Sequence, residues 1–267
     1  MLRGDVVESV HRVHVASTEG PIHGDDLVCL LRSAAKPIQA IPLLRGYDDL
    51  DDDELAIACS SHEAEPAQLD AVRKLLARAG ATVDDLENGP RDGGPDGKLR
   101  HNCSGKHAGM LAACRAHGWP LAGYRLPDHP LQREIRALLG AGASAIDGCG
   151  VPTYAASLTE AAALLTRTPE RIAAAMLARP DLIGGRGIED TALMLARPGW
   201  LAKRGAEGLL CVVTSDGRGY AFKVEDGNSR AVGPAVAAVL GVSELAVGDV
   251  RNSRGEVVGR IRAAEVS

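Results

Sequence analysis

Secondary-structure signals in this chain are segregated rather than alternating. Strand signals gather at the two ends, and helix signals fill the middle. From Val6 to Ala16, valines interleave with Glu8, His11, Arg12 and His14, which predicts a strand. Leu27–Leu31 predicts a second, joined to the first through Gly20-Pro21 and Gly24-Asp25-Asp26. Near the other end, Leu209–Thr214 and Tyr220–Glu225 flank Asp216-Gly217, a hairpin signal, and Val257–Ile261 predicts a last strand. Between them, Pro66 opens a helix whose Leu69, Val72, Leu75 and Leu76 recur at helical spacing before Gly80 ends it. Further helices are predicted around Asp51–Ala58, 128–140 with Pro130 in the first turn, Leu158–Leu165, Pro169–Ala178, Thr191–Ala196 and Pro234–Leu240. No internal repeat and no β-α-β-α alternation is present. The pattern predicts an α+β fold in which strands from both ends build one antiparallel sheet and a helical middle region covers it. Residues 1–65 and 200–267 are then the sheet-forming parts of a single catalytic unit spanning 1–267, and 66–199 is mainly helical.

Composition narrows the function classes. With one Phe, two Trp and four Tyr, Leu, Ala and Val must fill the core, and a base-stacking platform has little to be made from. A net charge of −5 opposes a phosphate-backbone partner, so no nucleic acid is expected. No stretch reaches the length of a membrane span, and Met1–Val10 has no apolar signal-peptide core. Six widely spaced cysteines do not form a small secreted disulfide framework, so a cytoplasmic protein with reduced thiols is expected.

The chemistry is concentrated in short polar clusters. In Arg32-Ser33-Ala34-Ala35-Lys36-Pro37, the serine and lysine are three residues apart, which puts both on one face of a helix. A serine hydroxyl needs a base to become a nucleophile, and a lysine serves only when burial or a second cation holds it neutral. Pro37 restricts Ser33 to the start of a helix, where free N–H groups can stabilise a developing oxyanion. The same four residues equally fit a plain helix cap. Ser61-His62 is a second cluster, although adjacent side chains diverge. His101-Asn102-Cys103-Ser104-Gly105-Lys106-His107 and Asp147-Gly148-Cys149 are the third and fourth. Cys103 and Cys149 lie in glycine-bearing turns and suit zinc, with His107 able to complete a site; two small buried hydrophobes are the alternative. Lys203-Arg204-Gly205 precedes the Leu209 strand and by itself reads as a basic turn. An S-x-x-K followed by K-x-G at a strand is nevertheless the order found in penicillin-binding proteins and serine β-lactamases.

Longer motifs carry a more specific resemblance. ESVHRVH at 8–14, RSAAKP at 32–37, CSSHEAEP at 59–66, HNCSGKHAGML at 101–111, YRLPDHPLQ at 124–132, DGCGVPTYA at 147–155, DTALM at 190–194 and FKVEDGN at 222–228 occur in order along nearly the whole chain. Together they resemble the asparaginase II family. That resemblance implies a fold similar to serine β-lactamases and glutaminases. It implies hydrolysis of the side-chain amide of L-asparagine to L-aspartate and ammonia by two Ser-Lys tandems, Ser33/Lys36 and Ser61/Lys203. It further implies zinc held by Cys103, Lys106 and Cys149, substrate contacts from Arg32, Asp147 and His107, and a homodimer. Changed substrate choice, as in a glutaminase-like amidohydrolase, or a non-catalytic amino-acid-binding relative are the alternative functions.

Overall fold

A computed structural model describes residues 1–264 apart from Pro95 and Ala141, so one position of the glycine- and proline-rich loop at 89–98 lies outside the described residues. The fold is α+β. Its centre is a five-stranded antiparallel sheet in the order Gly20–His23, Val13–Ser17, Gly219–Val224, Leu209–Val213, Leu201–Arg204. N-terminal and C-terminal strands meet in the pairing of Val15 with Phe222 and His14 with Lys223, which joins the two chain ends in one sheet. The Asp216-Gly217 turn closes the hairpin between Leu209–Val213 and Gly219–Val224, with Gly217 at φ 82°, where a side chain would be strained.

Three strand assignments differ from the sequence reading. The strand at 6–16 is broken: Val6–Val7 belongs to a separate four-stranded sheet with Leu2–Arg3, Val247–Arg251 and Val257–Arg262. The residues between cross from one sheet to the other, tied down by a hydrogen bond between His11 and Asp226 at 2.6 Å. Gly20–His23 is the strand that pairs with Val13–Ser17, because the turn at Thr18-Glu19 closes that hairpin first. Val28–Leu30 pairs instead with Pro152–Ser157, which is flanked by Ser144–Ile146 in a three-stranded sheet. These two strands lie inside the otherwise helical middle of the chain.

Helix Leu158–Thr166 covers one face of the central sheet. Its approach is so close that a Cβ on Gly219 would lie 2.3 Å from Ala162 O. A second group of helices packs around Ser104–His117, which is buried from Ser104 to Cys114 and contacts Pro66–Ala79, Asp52–Ala58 and Ile41–Gly46. Pro66 at the first turn, and Gly80 in the left-handed region at φ 59° just past the last, bound the 66–79 helix as its sequence predicts. Asp51 and Glu54 form a reciprocal capping box that starts helix Asp52–Ala58. Among the described residues, no helix is long and apolar enough to cross a membrane.

Candidate active site

Four chain segments converge where the central sheet meets the buried helices. Leu31 N–H donates to Tyr154 O, and Arg32 N–H donates to Thr153 Oγ1 at 3.0 Å, so the three-stranded sheet delivers the chain to Ser33. Arg32 itself is left-handed, with φ 48°, a conformation that costs a non-glycine residue energy and needs such anchors. A 3₁₀ turn, Arg32–Ala35, then leads into helix Lys36–Gln39 with Pro37 in its first turn, as the sequence requires.

Ser61 follows helix Asp52–Ala58 in an extended segment. Its N–H donates to Ile183 O at 2.7 Å, and His62 N–H donates to Asn102 O at 3.2 Å. Cys103 and Lys106 enter at the start of helix Ser104–His117. That helix can sit against Asp52–Ala58 because residue 105 is glycine: a Cβ there would lie 2.2 Å from Ile57 O. Lys203 comes from the central sheet. It lies in strand Leu201–Arg204, opposite Cys211, rather than in a solvated basic turn, and it is fully buried.

Ser61 is the meeting point of the two lysines. Its Oγ lies 3.0 Å from Lys36 Nζ and 3.2 Å from Lys203 Nζ. Lys36 Nζ also donates to Ser60 O and, at 3.4 Å, to Cys103 Sγ; Ser33 is not among its partners. Burial lowers the Lys36 pKa to about 8, and the cationic Lys203 and Lys106 add to that shift against the opposing pull of Cys103. Lys203 has a different environment. Its Nζ donates at 3.0 Å to Asp190 Oδ2, and both side chains are sealed from solvent. Burial alone would raise the Asp190 pKa, but Lys203 and Arg204 outweigh it and hold the carboxyl below its ordinary value.

Beside this centre lies a Cys–Lys–Cys cluster. Lys106 Nζ donates to Cys149 Sγ at 2.9 Å, and all three side chains of Cys103, Lys106 and Cys149 are buried. The neighbouring Cys149, with Lys36 and Lys106 assisting, holds Cys103 well below the ordinary thiol value, while Cys103 and burial push Cys149 upward. Burial opposes the charge on Lys106, but the two sulfurs outweigh it and raise its pKa. Two sulfurs and a primary amine facing one another in a dry site make a donor set that suits zinc. Among the described residues, no three His, Cys, Asp or Glu side chains gather as a metal cluster.

The two histidines are neutral. Ser104 Oγ donates to Leu99 O and so accepts from His62 Nε2, while His62 Nδ1 accepts from Ala64 N–H. Burial drives the His62 pKa down to about 3, with Lys36 assisting. His62 therefore faces Ser104, not Ser61, and offers no Ser–His pair. The Tyr124 hydroxyl accepts from Glu87 N–H and donates to His107 Nδ1 at 2.7 Å. Among the described residues, His107 Nε2 is left buried without a partner. Burial, aided by Lys106, holds its pKa well below the ordinary imidazole value.

Arg32 and Asp147 are ion-paired with each other, and Asp147 Oδ1 also accepts from Gly148 N–H at 2.7 Å. Neither lines the cavity of about 280 Å³ that both Ser33 and Ser61 face. Asn102, Glu189 and Arg204 share its wall. The sequence reading assigned none of these three a role; Asn102 lies within the 101–111 motif, Arg204 follows Lys203, and Glu189 precedes the 190–194 motif.

Two buried lysines flank Ser61, which with Ser33 lines one cavity in an α+β fold. The sequence profile of the L-asparaginase II family matches residues 1–263, and the chain belongs to that family. Membership places it among asparaginase-type amidohydrolases. A search of curated proteins returns no match.

Proposed function

We propose that this chain hydrolyses the side-chain amide of L-asparagine to L-aspartate and ammonia through a serine acyl-enzyme. Residues 1–267 act as a single catalytic unit on a serine-β-lactamase-like or glutaminase-like scaffold. The observation that carries the reading is the placement of Ser61 Oγ between Lys36 and Lys203 in the wall of the cavity that Ser33 also faces.

Lys36 in its neutral form takes the proton of Ser33. The Ser33 Oγ adds to the amide carbon, and backbone N–H groups at the 3₁₀ turn hold the oxyanion. The carbon–nitrogen bond then breaks, and the nitrogen leaves as ammonia with the proton returned by Lys36. Water, deprotonated by the same base, cleaves the β-aspartyl ester. Ser61 Oγ, in contact with Lys36, relays protons between that base and the reacting groups, with Lys203 on its other side. Lys203 stays cationic beside Asp190 and so discourages protonation of Lys36.

Cys103, Lys106 and Cys149 would hold zinc, which when bound supplies a Lewis-acidic centre for orienting the substrate. Loading requires both thiols and the Lys106 ammonium to give up their protons, so it is favoured by rising pH. Arg32 and Asp147 hold the Ser33 turn against the Cys149 loop, and the unpartnered His107 Nε2–H is available to a ligand at this site.

A second assignment of the nucleophile has its own support. Ser61 Oγ is the hydroxyl already in hydrogen-bond contact with Lys36, whereas Ser33 is not. Mass analysis of enzyme quenched during turnover distinguishes the two. A β-aspartyl ester on the peptide containing Ser33, with ammonia release from asparagine abolished in Ser33→Ala, is the expected result. An ester on Ser61 reverses the serine roles. Release from glutamine at a rate equal to asparagine makes the enzyme a broader amidohydrolase.

A further inference from the structure

We infer that Arg204 and Glu189 recognise the two charged ends of the amino-acid substrate, Arg204 taking the α-carboxylate and Glu189 the α-ammonium. The inference rests on the amide-hydrolysis reading and adds the source of its substrate selectivity. An amino acid held for side-chain chemistry presents a fixed zwitterion. A site that accepts it needs a cation and an anion side by side, within reach of the nucleophile.

Of the charged residues that line the cavity with Ser33 and Ser61, Arg204 is the one cation among the described residues. Its NH2 is committed, donating to Ser61 O and Glu63 Oε1, both at 3.0 Å. Its NH1 is not: it faces Glu189 Oε2 at 3.9 Å, beyond hydrogen-bond length. The side chains are 23% and 24% exposed, so both reach the cavity while their stems are packed. A zwitterion inserted between them replaces one loose pair with two short charge-assisted contacts and leaves the local charge unchanged. The anchors are rigid. Arg204 N–H donates to the buried Asp190 Oδ2 at 3.0 Å, which also holds Lys203, and Glu189 adjoins Asp190 in the chain. The residues that bind the ends of the substrate are therefore each one position from the pair that sets the charge at Ser61. Arg32 and Asp147, by contrast, satisfy each other outside this cavity.

Two fragments of asparagine separate recognition from general disturbance. β-Alaninamide lacks the α-carboxylate, and succinamate lacks the α-ammonium; each is measured as a competitive inhibitor of ammonia release from asparagine. Arg204→Gln is expected to raise the KM for asparagine and the inhibition constant of succinamate by roughly 10- to 100-fold, leaving that of β-alaninamide unchanged. Glu189→Gln is expected to do the reverse, weakening β-alaninamide and sparing succinamate. Constants for both fragments that move together in either variant mark a structural role and overturn the inference alone. Wild-type enzyme that releases no ammonia from asparagine overturns the underlying reading and this inference with it.

Discussion

Lys203 and Asp190 form an ion pair of 3.0 Å in which neither side chain has any exposure to solvent. The pair fixes a positive charge beside Ser61, and Asp190 spends its other oxygen on Thr191 N–H at 3.0 Å. A buried pair of this kind is costly to break from one side, because the remaining charge has no solvent to return to. Asp190→Asn is expected to lower unfolding free energy at neutral pH by about 3–5 kcal/mol. The pH dependence has a definite sign. The Asp190 pKa is depressed on folding, so its contribution is present above the ordinary carboxylate range and is lost as pH falls through the folded value. Denaturant titrations of wild type and variant should therefore converge in acid; curves that stay parallel from neutral to acid pH would remove this role from Asp190.

Lys36 governs a different pH window. Its pKa falls from 10.5 to about 8 on burial, so protons bind more readily to the unfolded chain between those values. Stability should rise as pH climbs from about 8 toward 10.5, the reverse of a lysine that gains a carboxylate partner. In catalysis the neutral base accumulates in the same direction, so kcat/KM should rise with pH through about 8. Removing the Lys203 charge should move that limb upward. The double variant Lys203→Met with Asp190→Asn does so without leaving an orphan carboxylate. A pH–rate profile for the double variant that overlays wild type would show that Lys203 does not act on Lys36.

The two sulfurs and Lys106 make a prediction about metal content. Cys149→Ser replaces a thiol with a hydroxyl that does not ionise near neutrality, leaving two ligands. Protein purified with zinc present is expected to carry about one equivalent in wild type and almost none in Cys149→Ser, since structural sites depend on the full donor set. Asparagine binding should weaken in parallel. Equal zinc content in both proteins would exclude this cluster as the site.

Gly105 tests how the segments of the candidate site are brought together. Alanine at 105 would place its Cβ 2.2 Å from Ile57 O, and the obstacle is backbone that cannot rotate aside. Gly105→Ala should cost about 1–3 kcal/mol of stability by overpacking. It should also push Cys103 away from Lys36, now 3.4 Å apart, and reduce activity beyond what the stability loss explains. Full activity in folded Gly105→Ala would mean that the helix contact does not set the site.

Much of the local structure was legible along the chain because its causes are local. The 66–79 helix shows its apolar period, its Pro start and its Gly stop within 15 consecutive residues. The capping box at Asp51 and Glu54 and the Asp216-Gly217 turn are likewise decided by neighbours in sequence. The long motifs also held Ser33, Lys36, Ser61, Cys103, Lys106 and Cys149, whose convergence follows from the family resemblance but not from their spacing. What the chain order could not decide is partnership across distance. Val28–Leu30 finds its partner at 155–157, and no local signal distinguishes that pairing from one with Val13–Ser17. Lys203 and Arg204 read as a basic turn because polar residues are ordinarily solvated; only the sheet, the buried Asp190 and Ser61 make their strand a buried one. The same holds for Arg204 and Glu189, which share a cavity wall with Ser33 and Ser61 although the chain spreads the four from 33 to 204. Burial and the directions of side chains are properties of the packed molecule, and they settle which of many polar residues face one another without water between them.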